Sequence, residues 1–106
     1  MEFRNLLIEI AGGVATLTIN RPQSLNALNR EVVTELGFAL NWLEQDAAVK
    51  VVIVTGAGEK AFVAGGDIKE MAAINPCQAH AFAHAGQRVM LSIRQMKKPV
   101  IAAVNG

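Results

Sequence analysis

The sequence predicts an α/β fold in which parallel strands alternate with amphipathic helices. Two apolar runs, at residues 50–55 and 99–104, show no polar alternation, which is typical of strands covered on both faces of a parallel sheet. Stretches with apolar residues at helical spacing precede both runs. With 106 residues, 52% of them hydrophobic and 18% charged, the chain has the size and composition of one folded domain.

The first element in the chain is a predicted β-hairpin. Residues 6–10 and 14–20 are β-prone, and Gly12 and Gly13 between them allow the positive φ angles of a tight turn.

A long helix is predicted next, over about residues 30–45. Asn29 is its expected N-cap, and Glu31 lies in the first turn. Its buried face is predicted to consist of Val32, Leu36, Ala39, Leu40 and Leu43. Four polar residues are predicted to lie away from that face: Arg30, Glu35, Asn41 and Glu44.

Two more helices are predicted between the apolar runs. The first is short, at residues 68–73, and the second runs from Pro76 to about Met96 with Asn75 as its cap. The predicted order is ββαβααβ, in which right-handed crossovers join parallel neighbours. The second helix should bury an apolar set that includes Phe82, Val89, Met90 and Ile93.

Composition argues against several functional classes. The net charge of +1 comes from interspersed charges, so no basic stripe is available for nucleic acid. Cys77 is the only cysteine, which excludes an internal disulfide and favours a reducing compartment. The sequence has neither a signal-peptide pattern nor an apolar run of about 18 residues. We therefore expect a cytoplasmic protein that does not enter the membrane.

The most informative stretch is residues 61–71, in the loop after the first apolar strand. Gly65 and Gly66 permit a backbone conformation that side chains would block, and Asp67 with Glu70 resembles a capping box at a helix start. The amides of Gly66 and Asp67 should therefore point outward, which suits a carbonyl oxygen that gains negative charge. The residues alone equally allow a capped turn that binds nothing.

This stretch resembles the oxyanion segment of the enoyl-CoA hydratase, or crotonase, family, whose members show Phe-x-Ala-Gly-x-Asp-Ile-Lys-Glu-Met. The matching residues are Phe62, Ala64, Gly65, Asp67, Ile68, Lys69, Glu70 and Met71. Residues 20–22 with 25–28, and residues 98–106, resemble the same family, so the similarity extends over the whole chain. Gly66 occupies a position that is often alanine in relatives, where the backbone amide is the acting group.

The resemblance implies a crotonase-like (ClpP/crotonase) spiral of ββα units, with residues 1–106 as the N-terminal portion of a single domain. It implies an enoyl-CoA hydratase, a lyase of fatty-acid β-oxidation, in which the Gly66 amide donates to the thioester carbonyl. The coenzyme A site would be lined by Asn26, Ala27, Leu28, Ala64, Gly65, Gly66, Asp67, Ile68 and Lys69. Coenzyme A would enter as part of the substrate, with no permanently bound cofactor and no metal. Complete members of the family form trimers or hexamers.

The same resemblance predicts that part of the active site is absent. The family's two catalytic glutamates and its second oxyanion amide belong to segments that follow Gly106, and neither Glu59 nor Glu70 matches them. We expect residues 1–106 alone to be inactive. Alternatives are another CoA-thioester reaction such as isomerisation, or a non-catalytic fragment that binds coenzyme A or supports assembly.

Rival sites are weaker. Residues 56–61 match a dinucleotide fingerprint, but Gly65 and Gly66 interrupt the helix that it should open. His80 and His84 share a helix face, where a solvated polar surface is expected rather than zinc.

Further assignments concern individual side chains. Arg21 and Lys69 are interpreted as solvated charges rather than phosphate ligands. Trp42 and the methionines are assigned to packing.

Overall fold

The computed structural model describes residues 2–106 and confirms the predicted order of elements. The strands and helices agree with their expected bounds to within a residue or two, and a short 3-10 turn at Pro22–Ser24 was not predicted. The elements are β1 (Leu6–Ala11), β2 (Val14–Ile19), α1 (Arg30–Gln45), β3 (Val51–Gly56), α2 (Ile68–Ala72), α3 (Pro76–Gln95) and β4 (Val100–Ala103).

The strands form one four-stranded sheet in the order β1-β2-β3-β4. β1 and β2 are antiparallel and joined by Gly12 and Gly13, whose φ angles of 58° and 81° match the predicted turn. β2 pairs in parallel with β3, and β3 with β4, as expected for strands separated by helical crossovers. The carboxyl ends of β2, β3 and β4 therefore lie at the same edge of the sheet.

The core lies between the sheet and α1. Asn29 caps α1 by accepting a hydrogen bond from the Val32 N–H at 2.8 Å. Every residue predicted for the buried face of α1 is buried, together with Val33. The strands contribute Leu6, Ala15, Leu17, Ile19 and Val52 to the same cluster.

The predicted polar face of α1 is only partly solvated. Arg30 and Asn41 are exposed, as expected, whereas Glu35 and Glu44 are half-buried. Glu35 accepts hydrogen bonds from Asn5, and Glu44 accepts one from the Lys97 backbone N–H. These two carboxylates are used to attach the segments before β1 and before β4 to α1.

The prediction that the parallel strands are covered on both faces is wrong for the part of the chain that the structure describes. In β3 only Val52 and Gly56 are buried, and β4 is an edge strand with no buried residue. The reason is the placement of the helices: α1 packs on one face of the sheet, and α3 packs against α1. The apolar runs alone do not reveal whether a second layer is present.

α3 also buries less than its sequence predicts. Val89 and Ile93 pack against the core cluster and Phe82 is half-buried, but Met90 is 62% exposed. Met90 was therefore assigned wrongly to the buried set. Trp42 and Met96 do pack against the core, as predicted.

Candidate functional site

The candidate site forms where the loop after β3 pairs with the turn after β2. The Ala64 N–H donates to the Leu25 carbonyl at 3.1 Å, and the Leu28 N–H donates to the Gly65 carbonyl at 2.8 Å. The Asp67 N–H donates to the Leu28 carbonyl at 2.9 Å. We call residues 25–28 and 64–67 the paired segments; they bring together two motifs that were singled out in the sequence.

The Gly66 N–H is a free donor. Leu28 forms a parallel bridge to Gly66, in which Leu28 bonds to the Gly65 carbonyl and to the Asp67 N–H. Because successive peptides of an extended segment point in opposite directions, the N–H of Gly66 faces away from Leu28. It has no acceptor within residues 2–106. The preceding Gly65 has a φ angle of 91°, which favours glycine.

The Asp67 amide behaves differently from the sequence-based expectation. Asp67 was predicted to present its N–H outward beside that of Gly66, but this N–H is taken up by the Leu28 carbonyl. The alternation along an extended segment explains the difference, since neighbouring amides cannot both face the same side. Of the two amides that were predicted to face outward, only that of Gly66 lacks an acceptor within residues 2–106.

The capping box predicted at α2 is half formed. Asp67 accepts from the Glu70 N–H at 3.2 Å and so caps α2. Glu70 does not return the bond to Asp67; its Oε1 accepts instead from the Arg30 N–H at 2.7 Å. Glu70 is thus a capping residue, as expected, but it caps the first residue of α1.

Arg21 is a structural link rather than the solvated charge that was expected. Its guanidinium donates to Asp67 Oδ2 at 3.1 Å and to the Ala27 carbonyl. The side chains of Arg21 and Asp67 are only 12% and 15% exposed. This ion pair fastens the paired segments to each other beside Gly66. Lys69, by contrast, is exposed as expected.

The ionisation of Asp67 should make the stability of the fold depend on pH in the acid range. The Glu70 N–H lowers the pKa of the Asp67 carboxyl below its ordinary value of 3.8, and the Arg21 side chain adds to the effect. A carboxyl with a depressed folded-state pKa stabilises the fold above 3.8 and loses that contribution as the pH falls through the lower folded value. We therefore expect the free energy of unfolding of Asp67→Asn to fall less steeply than that of the parent as the pH decreases below 3.8. Urea unfolding of both proteins across the acid range tests this, and parallel curves would contradict it.

Asn26 is a buried side chain that connects the turn after β2 to the loop after β3. It is 1% exposed with a φ angle of 58°, and its Oδ1 accepts from the Arg21 N–H at 2.9 Å. Its Nδ2 donates to the Ala57 and Ala61 carbonyls at 3.0 and 2.9 Å. Asn26 and Ala27 are buried, so their side chains support the site from beneath. The other predicted coenzyme A residues are half-buried or exposed: Leu28, Ala64, Gly65, Gly66, Asp67, Ile68 and Lys69.

Asn105, which the sequence did not single out as a functional residue, also bonds to the loop after β3. Asn105 Oδ1 accepts from the Gly56 N–H at 3.0 Å, and its Nδ2 donates to the Gly58 carbonyl at 2.8 Å. Residues 57–61 form a loop and open no helix, so the helix that a dinucleotide fingerprint requires is absent there. Beside this loop lies a cavity of about 330 Å³, lined by Pro22, Leu25, Asn26, Ala57, Gly58, Glu59, Lys60 and Ala61.

An apolar cavity of about 240 Å³ borders Gly66. The sequence did not predict this cavity, because its lining residues come from separate segments, including α2 and α3, and share no local pattern. A backbone donor beside an apolar cavity suits a ligand with a carbonyl group next to a hydrocarbon chain. The cavity is lined by Leu28, Val33, Gly66, Met71, Ile74, Ala79, Phe82, Ala83 and Gly86.

Other candidate sites are simple surface features. His80, His84 and Cys77 are exposed on α3, the histidines as predicted. Across residues 2–106, no three His, Cys, Asp or Glu side chains cluster in a way that could hold a metal ion. None of the helices described in this range is both long and apolar enough to cross a membrane.

Solved structures define the class of fold. An enoyl-CoA hydratase from Bacillus anthracis superposes with a TM-score of 0.94 at 38% identity, over 97% of this chain and 40% of that one. An enoyl-CoA hydratase/isomerase from Xanthobacter autotrophicus Py2 gives a TM-score of 0.91 at 37% identity, over 99% and 40% of the two chains. The architecture is therefore crotonase-like α/β.

Sequence comparison gives the family. The profile described as enoyl-CoA hydratase/isomerase matches residues 9–106, and the chain belongs to that family. It is 47% identical over 106 residues to the short-chain-enoyl-CoA hydratase of Clostridium acetobutylicum, covering 100% of this chain and 41% of the relative. It is 43% identical to the crotonyl-CoA hydratase of Syntrophomonas wolfei, with the same coverage. The chain thus spans about two fifths of the length of these relatives.

Proposed function

We propose that this chain supplies the thioester-polarising part of an enoyl-CoA hydratase, as the N-terminal two fifths of such an enzyme. The observation that carries the proposal is the free Gly66 N–H beside an apolar cavity. The hydratase names of the two bacterial relatives support the choice of reaction. The substrate would be a 2-enoyl-CoA thioester, and coenzyme A would be bound only as part of it.

The geometry suits one half of a hydration reaction. Addition of water to the double bond of an enoyl thioester places negative charge on the thioester oxygen, and a fixed N–H lowers the energy of that state. In our proposal Gly66 is this donor, and residues 26–28 with 64–69 lie along the coenzyme A moiety. The second donor and the two glutamates that handle water would come from family segments outside residues 1–106. The complete enzyme would be a cytoplasmic trimer or hexamer.

A non-catalytic role in coenzyme A binding or assembly is the second candidate. Exposed apolar side chains on α3, on β4 and just after it favour this alternative, because such surfaces promote association. They include Met90, Leu91, Ile101 and Val104. Isomerisation on the same oxyanion platform is a further branch of the first proposal, since the acids and bases that select the reaction would lie outside these residues.

A chimaeric enzyme tests the proposed function. In it, residues 1–106 replace the matching stretch of the Clostridium acetobutylicum hydratase, which supplies the remaining segments. We expect the chimaera to hydrate crotonyl-CoA within about tenfold of the parent rate, a difference of about 1.4 kcal/mol in the barrier. A folded chimaera that binds crotonyl-CoA but does not hydrate it would contradict the hydratase proposal.

Residues 1–106 alone provide the matched control. We expect this chain to bind acetyl-CoA in a calorimetric titration and to leave crotonyl-CoA unchanged. Hydration by a protein confirmed by intact mass to end at Gly106 would show that the division of the active site is wrong. Absence of binding at millimolar acetyl-CoA would favour the assembly role.

A further inference from the structure

The sulfur of Met71 lies beside Gly66, on the side where a side chain would project. A Cβ built on Gly66 would be 2.9 Å from Met71 Sδ, closer than real Cβ contacts allow. The approach therefore depends on the absence of a side chain at residue 66. Met71 is fixed from the backbone side, because its N–H donates to the Asp67 carbonyl at 2.9 Å. The residue is 49% exposed, so part of its side chain is open to solvent.

A thioether and a sulfoxide differ sharply as hydrogen-bond partners. The sulfur of methionine is a weak acceptor, and it leaves the neighbouring Gly66 N–H available to a ligand. A hydroperoxide transfers one oxygen to the sulfur: the O–O bond breaks, an S–O bond forms, the sulfur loses two electrons, and water or an alcohol leaves. The product has a polar oxygen on an atom that already lies beside the Gly66 peptide.

We propose that Met71 is an oxidation site whose sulfoxide oxygen accepts the hydrogen bond of the Gly66 N–H and so closes the oxyanion donor. Oxidation would also place a polar group in the lining of the apolar cavity, to which Met71 contributes. The loss of thioester binding rests on the function proposed above. The new hydrogen bond does not, since it involves only Met71 and Gly66.

The other oxidisable side chains of the described chain supply controls. Met90 is 62% exposed on α3 and is absent from the lining of the cavity beside Gly66. Met96 packs against the core and is less accessible. Cys77 is an exposed thiol that peroxide would also attack, so the experiment uses a Cys77→Ser background.

The test is NMR of ¹⁵N-labelled residues 1–106 carrying Cys77→Ser, treated with hydrogen peroxide until peptide mass spectrometry shows Met71 sulfoxide. We expect the Gly66 amide proton to move downfield and to exchange more slowly with water. Methionine sulfoxide reductases of both epimer specificities should restore the original resonance. The response should persist with Met90→Leu and vanish with Met71→Leu.

A binding measurement tests whether oxidation of Met71 affects ligand binding. Oxidation should weaken acetyl-CoA binding by up to about tenfold, since the ground-state thioester loses at most one hydrogen bond, and Met71→Leu should remove that sensitivity. An unchanged Gly66 resonance despite verified Met71 sulfoxide would overturn the proposal, as would equal sensitivity of the Met71→Leu chain. If the unoxidised chain binds no acetyl-CoA, the proposed function fails, while the Gly66 resonance still decides the role of Met71.

Discussion

Replacing Gly66 by proline is expected to lower kcat of the chimaeric hydratase by about 10²–10³-fold, the effect of losing one oxyanion donor. Proline has no N–H, so the group that faces away from Leu28 is removed. In the proposed role this donor acts mainly when charge develops on the thioester oxygen, so KM for crotonyl-CoA should change much less than kcat. Steady-state kinetics of the folded variant measure both constants.

Two matched variants separate the donor from the shape of the loop. Gly66→Ala keeps the N–H, and its Cβ needs only a shift of the flexible Met71 thioether, so most of the activity should remain. Replacement of the residue 66 amide by an ester removes the N–H without adding a ring, and it should reproduce the loss seen with proline. A proline or ester variant that kept the parental kcat would refute the role of this amide.

Replacing Asn26 by alanine is expected to lower the free energy of unfolding by about 3 to 4 kcal/mol, from buried polar groups left unpaired and from strain at a positive φ. The Arg21 N–H and the Ala57 carbonyl lose their partner, whereas the Ala61 carbonyl keeps a bond from Asn105. Domains of this kind are stable by only about 5 to 15 kcal/mol, so the effect is large. Urea denaturation of residues 1–106 measures it.

Two further variants show whether the loss of stability is specific to the side chain of Asn26. Asn41 is exposed on α1, and its replacement by alanine should change stability by no more than about 0.5 kcal/mol. Asn26→Gly removes the same hydrogen bonds without the strain at φ 58°, so it should be less destabilising than Asn26→Ala. A loss below about 1 kcal/mol for Asn26→Ala would mean that its hydrogen bonds are replaced by water.

The elements that could be predicted from the sequence are those with local causes. The hairpin follows from two adjacent glycines whose φ angles are positive, and α1 begins at Asn29 because that side chain accepts a bond from Val32. In both cases the residues that matter lie within a few positions of one another. The outward Gly66 amide was also predicted, from the glycines before a capped helix, but its direction in the structure follows from the bridge to the distant Leu28.

The features that escaped prediction depend on contacts between distant residues. Arg21 pairs with Asp67 across 46 positions, and Asn105 reaches Gly56 across 49 positions. No local pattern in the sequence indicates either of these pairings. The state of the Asp67 amide likewise depends on Leu28, whose carbonyl accepts its hydrogen bond. The exposure of β4 could not be inferred because an apolar run is the same whether one or two layers cover it.

The parallel bridge between Leu28 and Gly66 has a consequence for the lengths of loops in this family. Because amide direction alternates along the paired segments, one residue inserted between Ala64 and Gly66 would turn the donor towards Leu28 and the next amide outward. Two inserted residues would restore the direction but displace the amide along the chain. Natural variation in length should therefore accumulate elsewhere, such as around Glu59 in the exposed part of the preceding loop. The pairing of Leu28 with Gly66 thus limits where the chain can gain or lose residues without turning the Gly66 amide.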